Sequence, residues 1–278
     1  RHPPCFVCGM AETHGSGERG ESGMSLFVRM AKGLRRLVQD GTINYTCDVC
    51  GREVFGGERI CAHCRERLPV PRVVCPVCGR RVEEEGVCAS CKQRRPVPNM
   101  VRSRFVHEGD ALRLMLRYKG GERYLAQTFA LELLPLLEAF PRPDALVPVP
   151  MTARERRRRG FDQARLLAER LSAQSGIPVL CAAEKTRETA QQKTLSRRER
   201  ETNLRGCFRV ADRKCVRGKR LLIVDDIYTT GATADEFASV LLRAGAAAVD
   251  VITVTSVPSQ PTHSMPPKDT SDGTSRTK

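Results

Sequence analysis

Four closely spaced CxxC pairs between residues 47 and 91 constrain the fold of this chain more than any other feature of its sequence. A CxxC turn places two thiolates on one side of a tight loop, and two such turns complete a tetrahedron around a zinc ion. Ten, ten and nine residues separate the successive pairs. This spacing predicts two zinc ribbons in tandem, with iron as the main rival metal.

The pairing of the cysteines can follow their order along the chain. One site would then have the ligands Cys47, Cys50, Cys61 and Cys64, and the other would have Cys75, Cys78, Cys88 and Cys91. An interleaved pairing of the same eight residues stays open. Sites with four protein ligands are closed and structural, so no catalysis is predicted at either metal. A fifth pair, Cys5 and Cys8, has no obvious mate.

The cysteine content also bears on the compartment. Ten of the 13 cysteines fall in CxxC pairs, and clustered thiols in a reducing compartment usually bind metal. The chain has no run of the roughly 20 apolar residues that cross a bilayer, and its beginning lacks the apolar core of a secretory signal. We therefore expect a soluble, cytoplasmic protein.

Positive charge is concentrated in one stretch. The net charge is +15, and 20 of the 47 Lys/Arg lie in residues 152–220 together with only 8 of the 32 Asp/Glu. Such a field attracts phosphate groups, either of a small metabolite or of a nucleic-acid backbone. Charge alone does not choose between the two.

Composition and hydrophobic periodicity divide the chain into five parts. We expect residues 1–23 to be disordered and not to belong to the working protein. Residues 24–45 predict a basic amphipathic helix, 46–93 the double zinc ribbon, 100–257 an α/β domain and 258–278 a disordered tail. Predicted strands at 100–106, 145–149, 177–181, 220–224 and 249–254 alternate with helices, which indicates a parallel sheet flanked by helices.

The segment LLIVDDIYTTGAT, residues 221–233, carries the clearest functional signal. An apolar strand leads to Asp225 and Asp226, whose carboxylates can accept hydrogen bonds from the vicinal hydroxyls of a ribose. The loop and helix start that follow are suited to bind phosphate through backbone N–H groups and hydroxyls. The loop residues are Thr229, Thr230, Gly231, Ala232 and Thr233. A simpler reading is a strand that ends in two acids capping a helix.

The whole segment resembles the signature loop of type I phosphoribosyltransferases. The chain further resembles the ComF family in its tandem cysteine knuckles and in the segments VPVP, RRRGFDQA, QKTLSRRER and VDDIYTTGAT that follow them. Members of this family are associated with natural competence, and one relative is named for gluconate utilisation. The similarity covers about residues 47–257. Asp162 departs from the family pattern, because relatives usually have Asn there.

The resemblance implies roles for individual residues. Asp225 and Asp226 would hold the ribose hydroxyls of 5-phosphoribosyl 1-diphosphate, residues 229–233 its 5′-phosphate, and Mg²⁺ its diphosphate. A second loop would approach the diphosphate with its backbone, and it comprises Pro150, Met151, Thr152, Ala153 and Arg154. A mobile flap over residues 187–208 would close on the diphosphate through Lys193, Arg197 and Arg198. The unidentified acceptor would be held by a hood around residues 100–124.

Three functions stay open at this point. The first is an enzyme that transfers ribose 5-phosphate to an acceptor. The second is a DNA-uptake factor that binds single-stranded DNA, with the fold as scaffold or sensor; the scarcity of aromatics, at 5%, counts against base stacking. The third is an adaptor that joins proteins of the uptake machinery. The oligomeric state also stays open, a homodimer included.

Overall fold

The computed structural model describes residues 45–188 and 204–259. Several predictions lie outside the described residues. They concern residues 1–23, nearly all of the helix at 24–45, Cys5 and Cys8, Lys193, Arg197 and Arg198, and nearly all of the tail.

Two small ribbons precede the main domain. The first contains strands β1 and β2 and helix α1, and the second contains helix α2. Their bounds are Tyr45–Thr46 for β1, Glu53–Val54 for β2, Ala62–Arg67 for α1 and Ala89–Gln93 for α2. Each ribbon is too small for a core of its own, so its stability depends on metal and on packing against the main domain.

The main domain alternates strands and helices as predicted. Its first half comprises β3 (Val101–Val106), α3 (Gly109–Lys119), α4 (Leu125–Leu133), a 3₁₀ helix (Leu134–Ala139), β4 (Ala145–Pro148), α5 (Ala153–Arg159) and α6 (Gln163–Ser175). Its second half comprises β5 (Ala183–Lys185), β6 (Phe208–Val210), a 3₁₀ turn (Arg213–Cys215), β7 (Arg220–Tyr228), α7 (Ala232–Arg243) and β8 (Ala248–Ser256).

A four-stranded parallel sheet with the order β3-β8-β7-β4 forms the centre of the domain. The strands β4 and β7 are buried on both faces where they read as the apolar runs ALVP and LLIV, whereas the edge strand β3, VRSRFV, alternates buried and partly exposed residues. Alternate residues of β7 belong to different cores: Leu222 and Val224 pack with α4 and α6, whereas Leu221 and Ile223 pack with α7. The prediction of a parallel sheet covered by helices is confirmed.

The two ribbons pack with opposite cores. Buried residues of the first ribbon, such as Ile60, join the core of α4 and α6, and the four cysteines of the second join the core of α7. A buried glutamate on α4, Glu132, accepts hydrogen bonds from Arg65 of the first ribbon and from Arg104 of β3, the latter at 3.1 and 3.2 Å. This cluster fastens the first ribbon to the domain through charged groups.

Two predicted strands differ from the structure. The strand expected at 177–181 is reduced to a bridge between Val179 and Leu146, because Pro178 has no N–H to donate to a longer ladder. Conversely, β7 continues beyond residue 224 through both aspartates, since Asp225 pairs with Thr253 of β8. The carboxylates therefore stand on the strand itself rather than just beyond its end.

No helix within residues 45–188 and 204–259 combines the length and the apolar character that a membrane crossing requires.

Candidate functional site

The eight cysteines form two tetrads in chain order. Within each tetrad the sulfurs lie within 4.8 Å of one another, which confirms the sequential pairing and rules out the interleaved one. The distance from Cys50 Sγ to Cys61 Sγ is 3.8 Å, and that from Cys78 Sγ to Cys88 Sγ is 3.7 Å. A zinc ion with bonds of about 2.3 Å to four sulfurs requires tetrahedral edges of about 3.8 Å. Both tetrads therefore fit zinc.

Backbone hydrogen bonds support one sulfur in each tetrad. The N–H of Cys61 donates to Cys47 Sγ, and the N–H of Cys88 donates to Cys75 Sγ, both at 3.4 Å. Burial alone would raise the pKa of Cys47 and Cys75, but these N–H groups together with hydrogen bonds from the CxxC turns outweigh burial and lower the pKa to about 7. One thiol of each tetrad is thus held towards the thiolate form that a metal needs, and the two tetrads together support two structural zinc sites.

A separate cavity of about 610 Å³ lies at the carboxyl edge of the parallel sheet. Ligands of open parallel sheets bind at this edge. Of the predicted site residues, the lining includes Asp225, Asp226, Thr229, Gly231, Thr233, Pro150 and Met151. The structure thus brings the aspartate pair and parts of both predicted loops to one site. Among the described residues, Thr152, Ala153, Arg154, Thr230 and Ala232 do not line this cavity.

The two aspartates differ in pKa. Lys119 Nζ lies 3.0 Å from Asp226 Oδ2, and Asp225 Oδ1 accepts a hydrogen bond from the Asp226 N–H at 2.9 Å. Burial, followed by the charge of Asp226, raises the pKa of Asp225 to about 8. Burial would also raise the pKa of Asp226, but the Lys119 ammonium lowers it below its usual range. At neutral pH the pair therefore holds about one negative charge in the ligand-free cavity.

The loop after β7 is shaped by one glycine. Gly231 has φ +86° and precedes α7, whose first N–H groups have no intrahelical partners. A methyl group at this position would lie 2.4 Å from the Tyr228 hydroxyl, so both the backbone and the space require glycine. Because Thr229, Gly231 and Thr233 line the cavity, the helix N-terminus is placed to attract an anion there.

Only the first two residues of the loop after β4, Pro150 and Met151, line the cavity, whereas the resemblance implied that all five residues of this loop approach the diphosphate. Thr152 caps α5: its Oγ1 accepts from the Glu155 N–H at 3.1 Å, and its own N–H donates to Glu155 Oε2 at 2.8 Å. This capping box directs Thr152 towards α5. Glu155 also pairs with Lys185 of β5 at 2.7 Å, so the cap is tied to the base of the predicted flap. Arg154 points to Glu188 at 3.2 Å.

Asp162 begins α6, and its Oδ1 accepts a hydrogen bond from the Arg165 N–H at 3.0 Å. A cap needs only an acceptor oxygen, which Asp and Asn both provide. The departure from the family pattern is therefore harmless to this helix.

Several cavity residues were not singled out from the sequence. His107 lies within hydrogen-bond distance of Thr255, at 3.0 Å, and burial followed by the charge of Lys119 lowers its pKa. Gln163 is buried at the cavity wall, and its Nε2 has no hydrogen-bond partner within the described part of the chain. His107 and Lys119 do belong to the segment 100–124 that was expected to form the hood. No local pattern marks any of these residues as a ligand.

Comparison with known families agrees with this architecture. A family model described as double zinc ribbon domain matches residues 43–92, and one described as phosphoribosyl transferase domain matches residues 157–274. The chain is 33% identical to the DNA utilization protein YhgH of Escherichia coli (strain K12) over 215 residues, which cover 74% of this chain and 87% of that protein. It is 28% identical to the competence protein ComFC of Bacillus subtilis (strain 168), with 73% and 88% covered.

Solved structures show a weaker likeness. A glutamine phosphoribosylpyrophosphate amidotransferase from B. subtilis is 23% identical over 49% of this chain and 26% of its own, with a TM-score of 0.31. A purine phosphoribosyltransferase from Pyrococcus horikoshii is 15% identical over 48% of this chain and 83% of its own, with a TM-score of 0.30. At such TM-scores these likenesses add nothing to the strand order and the family models.

Proposed function

This chain belongs to the ComF family of double-zinc-ribbon, phosphoribosyltransferase-domain proteins, and on that premise we propose that its cavity binds 5-phosphoribosyl 1-diphosphate with Mg²⁺ and transfers ribose 5-phosphate to an acceptor. The observation that carries the proposal is the meeting of two binding chemistries in one cavity. The aspartate pair is suited to ribose hydroxyls, and the loop at the start of α7 is suited to a phosphate.

The donor would lie with its ribose hydroxyls on Asp225 and Asp226 and its 5′-phosphate against residues 229–233. Its diphosphate would extend towards Pro150 and Met151, with Arg158 lining the same cavity. Lys193, Arg197 and Arg198 of the predicted flap would close over it, and the antiparallel pair of β5 and β6 forms the base of that flap.

The metal would arrive with the donor. Within the described residues, the groups of three or more His, Cys, Asp or Glu suited to hold an ion are the two cysteine tetrads. Mg²⁺ is commonly bound through substrate phosphates and one or two carboxylates, which agrees with such a site.

The proposed reaction is a substitution at the anomeric carbon. The bond between C1′ and the diphosphate oxygen breaks, the diphosphate leaves with the electron pair, and a nucleophilic atom of the acceptor bonds to C1′ and releases its proton. The cavity would hold the reactants in position and stabilise the cationic sugar and the departing diphosphate. His107, Lys119 and the Gln163 amide stand on its wall as candidates to contact the acceptor.

Calorimetry with phosphoribosyl diphosphate and Mg²⁺ tests this proposal. The wild type should bind, and Asp225→Asn/Asp226→Asn should bind at least about tenfold more weakly, because hydrogen bonds to charged groups contribute about 1.5–3 kcal/mol each. Asp144→Asn is the matched control, since this exposed residue holds the Arg220 N–H at the opposite end of β7. No heat of binding from folded, zinc-loaded wild type would refute the proposal.

A second candidate function is single-stranded DNA binding during DNA uptake. It is favoured by the names of the relatives, DNA utilization protein and competence protein, and by α5, which has no buried residue and carries Arg156, Arg157, Arg158 and Arg159. The protein would act there with the uptake machinery. A labelled oligonucleotide should bind with an affinity that falls steeply with salt, and Arg157→Gln should reduce that slope by about 0.7. Binding insensitive to salt would exclude this function.

A further inference from the structure

The two ribbons differ at one equivalent position. Arg52 and Arg80 each stand five residues after the first cysteine of their tetrad, and the carbonyl of each accepts the N–H of that cysteine, at 2.6 Å and 2.9 Å respectively. Arg52 is exposed to solvent, whereas Arg80 is only 7% exposed. The same backbone turn therefore supports a surface arginine in the first ribbon and a buried one in the second.

Arg80 bridges the second tetrad and the phosphate-binding loop of the cavity, residues 229–233. Its Nε donates to Cys78 Sγ at 3.4 Å and its Nη2 contacts Cys88 Sγ at 3.9 Å. Its Nη1 donates to the carbonyl oxygen of Thr229 at 3.2 Å, and its guanidinium lies 5.9 Å from the centre of the Tyr228 ring. One side chain thus contacts both sites.

Charge explains why this arginine can be buried. A buried guanidinium is stable only beside a compensating negative charge. Four thiolates around one divalent zinc ion leave two net negative charges, and two of these sulfurs face Arg80. A filled tetrad would therefore supply the negative charge that compensates the buried Arg80.

The second ribbon is also held closely against the domain. A methyl group on Gly79 would lie 2.3 Å from the carbonyl oxygen of Val101 in β3, so the two backbones are in direct contact. The Val97 N–H, in the linker after the ribbon, donates to Asp235 Oδ1 in the first turn of α7 at 2.9 Å. The second ribbon and the linker after it thus contact both β3 and α7 directly.

We propose that Arg80 is a positioning residue that makes the order of the phosphate-binding loop depend on the second zinc centre, whereas the first zinc centre has no such role. By holding the Thr229 carbonyl, Arg80 fixes the peptide at which the loop leaves β7, and the N–H groups that follow are aimed at the cavity. The ligand named for the loop rests on the proposed function, but the coupling itself can be measured without it.

The experiment compares Arg80→Met and Arg80→Lys with the matched control Arg52→Met in the full zinc-loaded chain. Zinc content, amide hydrogen exchange of residues 229–235, and calorimetric affinity for phosphoribosyl diphosphate with Mg²⁺ are measured for each. Arg80→Met should keep two zinc ions, exchange several-fold faster in the loop and bind about tenfold more weakly, since one charged hydrogen bond to the loop is lost. Arg52→Met should match wild type in all three.

Arg80→Lys should give intermediate exchange, because an ammonium keeps the charge beside the sulfurs but cannot contact two sulfurs and the carbonyl together. Wild-type exchange of the loop in a two-zinc Arg80→Met or Arg80→Lys protein would overturn the inference. Equal effects of Arg52→Met and Arg80→Met would overturn it too. If the wild type fails to bind the donor, the proposed function is refuted, while the exchange data still decide the role of Arg80.

Discussion

Replacing Asp225 by Asn should make the ligand-free protein more stable, and increasingly so as the pH rises. Asp225 lies beside Asp226 in a partly buried site, and burial followed by the charge of Asp226 raises its pKa from 3.8 to about 8. The folded state therefore binds a proton that the unfolded state has already lost. The stability that this proton contributes is fully present below the pKa of Asp225 in the unfolded chain. It is lost as the pH rises to and through the pKa of Asp225 in the folded protein.

The magnitude follows from that shift. Each pH unit over which the folded protein alone holds the proton changes stability by about 1.4 kcal/mol. Between about pH 6 and about pH 8 the wild type should lose about 2 kcal/mol that Asp225→Asn does not lose. For a chain of this size the difference in Tm between the variant and the wild type should therefore grow by about 4–8 °C.

Thermal melts of both proteins without ligand, at the two pH values, measure this effect. Zinc binding and the other titrating groups shift both melts alike, so they cancel in the difference. Asp226→Asn should be destabilising near neutral pH, because it leaves Lys119 without its carboxylate partner at 3.0 Å. A difference in Tm between Asp225→Asn and wild type that does not change with pH would refute the raised pKa of Asp225.

Three further results are expected. Gly231→Ala should lower the free energy of unfolding by about 3 kcal/mol and weaken donor binding, because a methyl group there meets Tyr228. The control Gly176→Ala, with φ +74° but open space around it, should lower it by only about 1 kcal/mol, and urea unfolding measures both. Glu132→Gln should lower the free energy of unfolding by about 2 kcal/mol, because Glu132 is only 5% exposed and lies between two arginines. The control Glu184→Gln removes one partner of an exposed pair and should change it by less than about 0.5 kcal/mol. Chelation should release two zinc ions per chain by elemental analysis, and a single ion would contradict the tetrads.

The zinc ligands and the loop after β7 were predictable because their chemistry is local. A CxxC turn or a strand followed by carboxylates, small residues and a helix places its groups together without help from distant chain. Burial periodicity likewise predicted the parallel sheet. The capping box of Thr152 and Glu155 was also visible as a T-x-x-E pattern, and it would have corrected the expectation that Thr152 lines the cavity.

The roles of other residues required the tertiary structure. Lys119 ends a helix more than 100 residues before Asp226, and Arg80 is 149 residues before Thr229. The sequence around Arg80 resembles that around Arg52, yet only one of them is buried. What separates them is which core each ribbon packs against.

The sequence by itself therefore determined the metal-binding turns and the strand and loop of residues 221–233, because each depends on residues a few positions apart. The tertiary structure alone decided which charges face the aspartate pair and which zinc centre contacts the loop. Parallel strands joined by crossover helices bring together residues that are far apart in the chain, and the pKa of a buried group depends on those neighbours.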